Sequence, residues 1–150
     1  MEARDRAAVL DAFADDAVFR SPLTSSLVFT GRDELAALIG VLLDALEDLD
    51  YSDELIGDDT AVLVGTMRLQ GVSVNFTDHL KLRPDGKISE MTVFFRPLPA
   101  TAAAMQVIGA GFGRRKGRLR GRTISTLVAP LAFMTRVGDR LGVRMLKATL

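Results

Sequence analysis

The chain has no cysteine, and only one histidine and one tyrosine, in 150 residues. Without thiols it has no disulfides and no thiolate metal sites. A single imidazole excludes histidine clusters and two-histidine zinc motifs. No apolar run approaches the roughly 18–20 residues that span a bilayer. The opening stretch, Met1-Glu2-Ala3-Arg4-Asp5-Arg6, is charged and lacks a following apolar core of the signal-peptide type. A cytoplasmic location is expected, with no metal and no cofactor.

What is present is an ordered, globular composition. Hydrophobic residues make up 48% of the chain and charged residues 25%. This length fits one domain with an adequate core. The net charge of zero hides an asymmetry. Residues 1–113 hold 18 acidic and 9 basic side chains, a balance of −9, whereas residues 114–150 hold 1 acidic and 10 basic, a balance of +9. An acidic body with a basic tail suggests a nucleic-acid contact, a membrane contact, or a tail docked on its own body.

Residues 6–16 read as a short helix with Ala8, Val9, Ala12 and Phe13 as its apolar stripe, and residues 17–20 as a short strand ended by Ser21-Pro22. Residues 23–29 read as a loop or irregular strand. Thr30 then resembles an N-cap, with Asp33 and Glu34 in the first turn, where negative charge favours the helix dipole. Leu35, Leu38, Ile39, Leu42, Leu43, Leu46 and Leu49 recur at spacings of three and four, so this helix should run to about Asp48. Strands are expected over 49–56, 60–70, 72–82 and 87–96. They are joined by the turns Gly57-Asp58-Asp59 and Arg83-Pro84-Asp85-Gly86. A helix over 101–108 should loosen at Gly109-Ala110-Gly111-Phe112-Gly113. That glycine run follows a helix rather than a strand and lies in no βαβ unit, so it reads as a flexible helix end and not a phosphate loop. The order is α+β, with a curved sheet packed on one face by helices.

The segment from Val72 to Leu82 alternates strictly. Val72, Val74, Phe76, Leu80 and Leu82 share one face; Ser73, Asn75, Thr77, His79 and Lys81 share the other. Asp78 breaks the pattern by falling on the apolar face. A carboxylate aimed at an apolar interior must be hydrogen-bonded, be paired or line a cavity, because a bare buried charge is too costly. Asp78 is thus the first candidate functional group, and an apolar cavity would raise its pKa and suit it to proton transfer near neutrality. His79 belongs on the outer face by parity. In the last strand Glu90, Thr92, Phe94 and Arg96 alternate with Met91, Val93 and Phe95, so both faces carry large apolar groups, which supports a homodimer.

Three pieces, in order, resemble the SnoaL-like branch of the superfamily named after nuclear transport factor two. They are Phe13-Ala14-Asp15-Asp16-Ala17-Val18-Phe19, Phe29-Thr30-Gly31-Arg32-Asp33-Glu34-Leu35, and the stretch from Asp78 through the Asp-Gly hairpin to Arg96-Pro97. The resemblance covers roughly residues 7–112. It implies a cone: a bent, mostly antiparallel sheet wrapped on helices, with a pocket at the open end. Members include polyketide cyclases, ketosteroid isomerase, limonene epoxide hydrolase and pure binding domains, and dimers through the outer sheet face are common. Asp78 matches the strand position where cyclase-like members carry an acid–base aspartate. The hydrolase's arginine two positions before its aspartate is not reproduced, since Phe76 stands there. The long first helix usual in the family is nearly absent.

The expected organisation is a cone domain over residues 1–113 and a basic linker with an amphipathic helical tail over residues 114–150. Asp78 is the catalytic candidate, and Tyr51, Phe76, Arg20 and Arg68 are the candidate ligand-pocket residues. The expected ligand is a hydrophobic small molecule, of polyketide, steroid or terpenoid type by resemblance. The enzyme reading is a cofactor-free isomerase, cyclase or hydrolase; the opposing reading is a non-catalytic binding or interaction module. In the tail, Arg136, Arg140 and Arg144 form a cationic stripe beside an apolar one, with a kink expected at Pro130. Such a helix suits an anionic membrane surface or a partner, or else packs on the body. The tail has no nucleic-acid reader motif, and no nucleic-acid partner is expected.

Overall fold

A computed structural model describes residues 6–115 together with Met134 and Val137. Within residues 6–115, three helices and six strands follow in the order α1 (Arg6–Asp11), β1 (Phe13–Arg20), β2 (Val28–Thr30), α2 (Gly31–Ala45), β3 (Leu46–Ile56), β4 (Thr60–Leu69), β5 (Val72–Leu82), β6 (Ile88–Arg96) and α3 (Leu98–Arg115). The strands form one sheet in the order β2-β1-β6-β5-β4-β3. Only β1 and β6 pair in parallel; the other pairings are antiparallel. The helices pack on one face, making the α+β cone that the pattern implies.

Local chemistry accounts for the long elements. α2 buries Leu35, Leu38, Ile39 and Val41, with Asp33 and Glu34 in its first turn. The Thr30 side chain makes no capping bond; instead the Thr30 N–H donates to Glu34 Oε2 at 2.7 Å, so the carboxylate satisfies a backbone donor near the helix start. The hairpin after β5 closes where expected, with Gly86 N–H on Arg83 O at 2.9 Å and Arg83 N–H on Lys87 O at 2.8 Å.

Four boundaries differ from the sequence reading, each because pairing or packing at a distance overrides local pattern. First, α1 stops at Asp11 and Phe13 begins a strand. Phe13 is paired with Ile88, and the Ile88 N–H donates to Ala12 O at 2.9 Å. Second, α2 ends at Ala45, because Leu46 and Glu47 pair with Leu69 and Arg68. Third, the end of the segment read as a loop or irregular strand is a strand that extends to Thr30, with Val28, Phe29 and Thr30 paired with β1.

The fourth difference is at the C-terminal side. α3 is 18 residues long and carries Gly109-Ala110-Gly111-Phe112-Gly113 inside it. The glycine run is therefore not a loosened helix end. A Cβ at Gly111 would stand 2.3 Å from Val41 Cγ1, so this glycine permits a close crossing of α3 over α2. Next to it, Phe112 stacks on Phe29 at 5.5 Å. The tail residues Arg136, Arg140 and Arg144, and the kink at Pro130, lie outside the described residues.

The interior divides into two apolar clusters. One joins β1, β2, β6 and α2 through Phe13, Phe19, Phe29, Leu35 and Leu38. The other joins β4, β5 and α3 through Met67, Leu69, Val74, Phe76 and Val107. The space between them is not filled.

Candidate functional site: a carboxyl in an apolar cavity

A cavity of about 280 Å³ opens between the concave face of the sheet and the helices. α2 supplies Leu38, Ile39, Leu42 and Leu43 to one wall. β6 supplies Met91, Val93 and Phe95 to the other, and Phe13, Phe19, Phe76 and Ile108 complete it. Among the described residues that line it, only Asp78 and Tyr51 carry polar side-chain groups.

Strand parity delivers Asp78 to this space. Along β5, Val74, Phe76, Asp78 and Leu80 are buried in alternation with more exposed neighbours. In register, Asp78 lies between Leu63 of β4 and Val93 of β6. Its side chain is the one charged or polar residue buried among the described residues, at 6% exposure. No donor or cation among them bonds to its carboxyl, which looks into the cavity. Burial alone pushes its pKa up from 3.8 to about 7.

Tyr51 reaches the same cavity from β3 by a less regular route. Between Glu47 and Asp50, and again between Tyr51 and Asp53, the β3–β4 register shifts, and Asp48 sits at φ +51° in the first of these irregularities. The first of these puts Leu49 and Tyr51, which share a face by alternation, on the same cavity side as Leu46. Tyr51 is paired with Gly65, and Gly65 with Phe76. Because Gly65 has no side chain, the Phe76 ring lies over it and meets the Tyr51 ring edge-on, with centroids 5.5 Å apart. A Cβ at Gly65 would meet Asp50 O at 2.4 Å and Phe76 Cζ at 2.6 Å. Tyr51 remains 54% exposed. Burial first, and the Asp78 charge second, raise its pKa above 10.0, so the phenol keeps its proton at neutral pH and is available as a donor.

The structure thus brings Asp78, Tyr51 and Phe76 to one cavity and leaves Arg20 and Arg68 out of its lining. The two arginines correct the sequence reading, for a reason of parity. Arg20 follows buried Phe19 and turns outward to Glu90 at 3.2 Å. Arg68 lies between buried Met67 and Leu69, donates to Gly71 O at 3.3 Å and stands 4.0 Å from Asp48. His79 sits between Val62 and Thr92 in register, out of phase with Phe76 and Asp78. Gly65 was missed from sequence; a glycine inside a strand pattern is the signal that marks it. The apolar walls from α2 and β6 were legible as elements but not as cavity lining.

The match to a protein-family model covers residues 1–91, and the family is the SnoaL-like domain. No curated protein matches the sequence. Among solved structures, a steroid delta-isomerase from Pseudomonas aeruginosa is 26% identical, with a TM-score of 0.64 over 77% of this chain and 82% of that one. A bacterial protein with a cystatin-like fold from Silicibacter pomeroyi is 20% identical, with a TM-score of 0.71 over 81% of this chain and 86% of that one. SalBIII, an epoxide hydrolase/cyclase-like enzyme of pyran ring formation in the polyether salinomycin, is 19% identical, with a TM-score of 0.55 over 63% of this chain and 82% of its own. The latter two likenesses are of fold. With the family model matching more than half its length, the chain belongs to the SnoaL-like domain family.

Proposed function

We propose that this domain binds a hydrophobic small molecule in its cavity and acts on it as a cofactor-free isomerase, cyclase or hydrolase, with Asp78 as general base. The observation that carries the reading is the buried Asp78 carboxyl, unpaired among the described residues and facing an apolar cavity. Folding places a group there at a cost that no partner within the described residues offsets, and such groups concentrate at functional sites. With its pKa near 7, the carboxylate is populated at neutral pH yet basic enough to accept a proton from a C–H or O–H acid. The Tyr51 phenol supplies a hydrogen bond to oxygen charge that builds as the proton leaves. An isomerisation would return the proton from Asp78 to a second carbon. A cyclisation would use Asp78 to free a hydroxyl as nucleophile. The steroid isomerase and the pyran-forming enzyme among the similar structures make both classes reasonable substrate families to screen.

The test is turnover of polyketide-, steroid- and terpenoid-like compounds by the wild-type chain and by Asp78→Asn. Loss of general-base catalysis should cost about 10²–10⁴-fold in kcat. Turnover that survives Asp78→Asn undiminished would remove Asp78 from the chemistry. Binding without turnover of any compound would favour the non-catalytic module, a reading supported by the scarcity of polar groups beside Asp78.

Two contacts belong to the same proposal. The convex face of the sheet exposes Leu55 and Phe94, at 61% and 58%, and we assign it to a homodimer. The tail exposes Met134, at 68%, three residues before Val137 on what would be one helical face. With Arg136, Arg140 and Arg144 nearby in sequence, this supports contact with an anionic membrane surface. Among the described residues no helix is long and apolar enough to cross a membrane.

A further inference from the structure

We propose that the cavity also binds apolar amines of single positive charge, with Asp78 as the counter-ion and the rings of Tyr51, Phe76 and Phe95 around the cation. The inference rests on the cavity being a small-molecule site, and adds the charge of a ligand class that it selects.

The argument begins with what faces the carboxyl. Leu63 and Val93 flank Asp78 on the neighbouring strands. Among the described residues lining the cavity, Tyr51 is the only other titratable side chain. Glu54, in register with Leu63 one strand further on, is exposed. Arg20 and Lys81 pair with Glu90, and neither lines the cavity. Among the described residues no cation competes for Asp78 there.

A neutral ligand would leave the ionised carboxylate without a counter-charge in an apolar space. An ammonium supplies that charge, and the attraction is stronger in such surroundings than in water. Much of the carboxylate's desolvation has already been met in folding, which leaves mainly the ligand's own desolvation and its lost freedom to oppose binding. The walls lessen that second cost. Phe76 lies two residues from Asp78 on the same strand face, roughly 7 Å along the strand. It is paired with Phe95 and packed by Tyr51. Ring faces within about 6 Å attract an organic cation, and more so when it is desolvated. A cavity of about 280 Å³ with apolar walls has room for a ring carrying a short alkyl arm.

The probes are phenylbutylamine and its near-isosteric alcohol, phenylbutanol, titrated calorimetrically into the full-length chain. At about pH 8.5 the amine should bind about tenfold or more tightly than the alcohol. That ratio should shrink below about pH 6, where Asp78 takes up a proton. Asp78→Asn should abolish the ratio. Equal affinities at high pH, a ratio that ignores pH, or a ratio that persists in Asp78→Asn would each overturn the inference. Should Asp78→Asn fail to fold, the pH dependence of the wild-type ratio decides alone. Binding of the alcohol without the amine defeats the amine inference and spares the small-molecule site. Binding of neither defeats both.

Discussion

At the residue scale Asp78 links function to stability through its protonation. Its folded-state pKa of about 7 lies above its ordinary 3.8. Between these values the folded chain holds a proton that the unfolded chain has released. Stability contributed at this site therefore falls as pH rises through that window. At about 1.4 kcal/mol per pKa unit, the deficit above pH 7 is roughly 4 kcal/mol. Asp78→Asn should thus raise the melting temperature at about pH 8 and change it little at about pH 4. A uniform shift at both pH values would mean that packing, not ionisation, is what the substitution alters. Tyr51→Phe keeps the ring on Phe76 and removes only the phenol. If that phenol donates to developing charge, kcat should fall by about 10²-fold with KM little changed, and an unchanged kcat would leave Tyr51 as a wall residue.

At the element scale two glycines set how closely neighbours approach. Gly111 lets α3 cross α2 at Val41. Gly111→Ala should destabilise by about 1–3 kcal/mol through overpacking. Val41→Ala removes the two methyl groups in the way, so the double variant should lose clearly less than the sum of the single losses. Strict additivity in denaturant titrations would show that the crossing is not the source of the cost. Gly65 does the same within the sheet, where the nearest obstacles are Asp50 O and the Phe76 ring. The edge strand β3 carries Glu47, Asp48, Asp50, Asp53 and Glu54, all exposed. Charges along an edge discourage pairing with another sheet, and such residues are depleted in strands generally.

At the scale of the whole molecule, the concave sheet face is committed to the helices and the cavity, which leaves the convex face for the proposed dimer, while the proposed membrane contact rests on the basic sequence of the tail. Sedimentation of the full chain should give a dimer, and Leu55→Asp with Phe94→Asp should give a folded monomer; a monomeric wild type would dispose of the convex-face dimer. Liposomes of anionic lipid should pellet the wild type more than a variant with Arg136→Glu, Arg140→Glu and Arg144→Glu, and equal pelleting would remove the membrane reading. The excess should fall with added salt, because exposed charges are screened over about 8–10 Å at ordinary ionic strength.

Several features were determined by sequence alone, because their causes are local. The three- and four-residue spacing from Leu35 onward specifies α2, and the Asp-Gly turn specifies the β5–β6 hairpin. The period of two from Val72 to Leu82 puts Asp78 on the apolar face. The same period, applied to Phe19-Arg20 and Met67-Arg68-Leu69, would have turned both arginines away from the cavity. Tertiary structure decided what depends on distant partners. Ile88 draws Phe13 out of a helix and into β1. Leu69 and Arg68 draw Leu46 and Glu47 out of α2 and into β3. Val41 gives the Gly111 position its purpose. The first register shift of β3 puts Tyr51 in phase with Leu46 on the side that Asp78 faces, and no pattern within residues 46–56 encodes where that space will be. A side chain's direction follows from its own strand, whereas what it meets follows from how the other elements close around it.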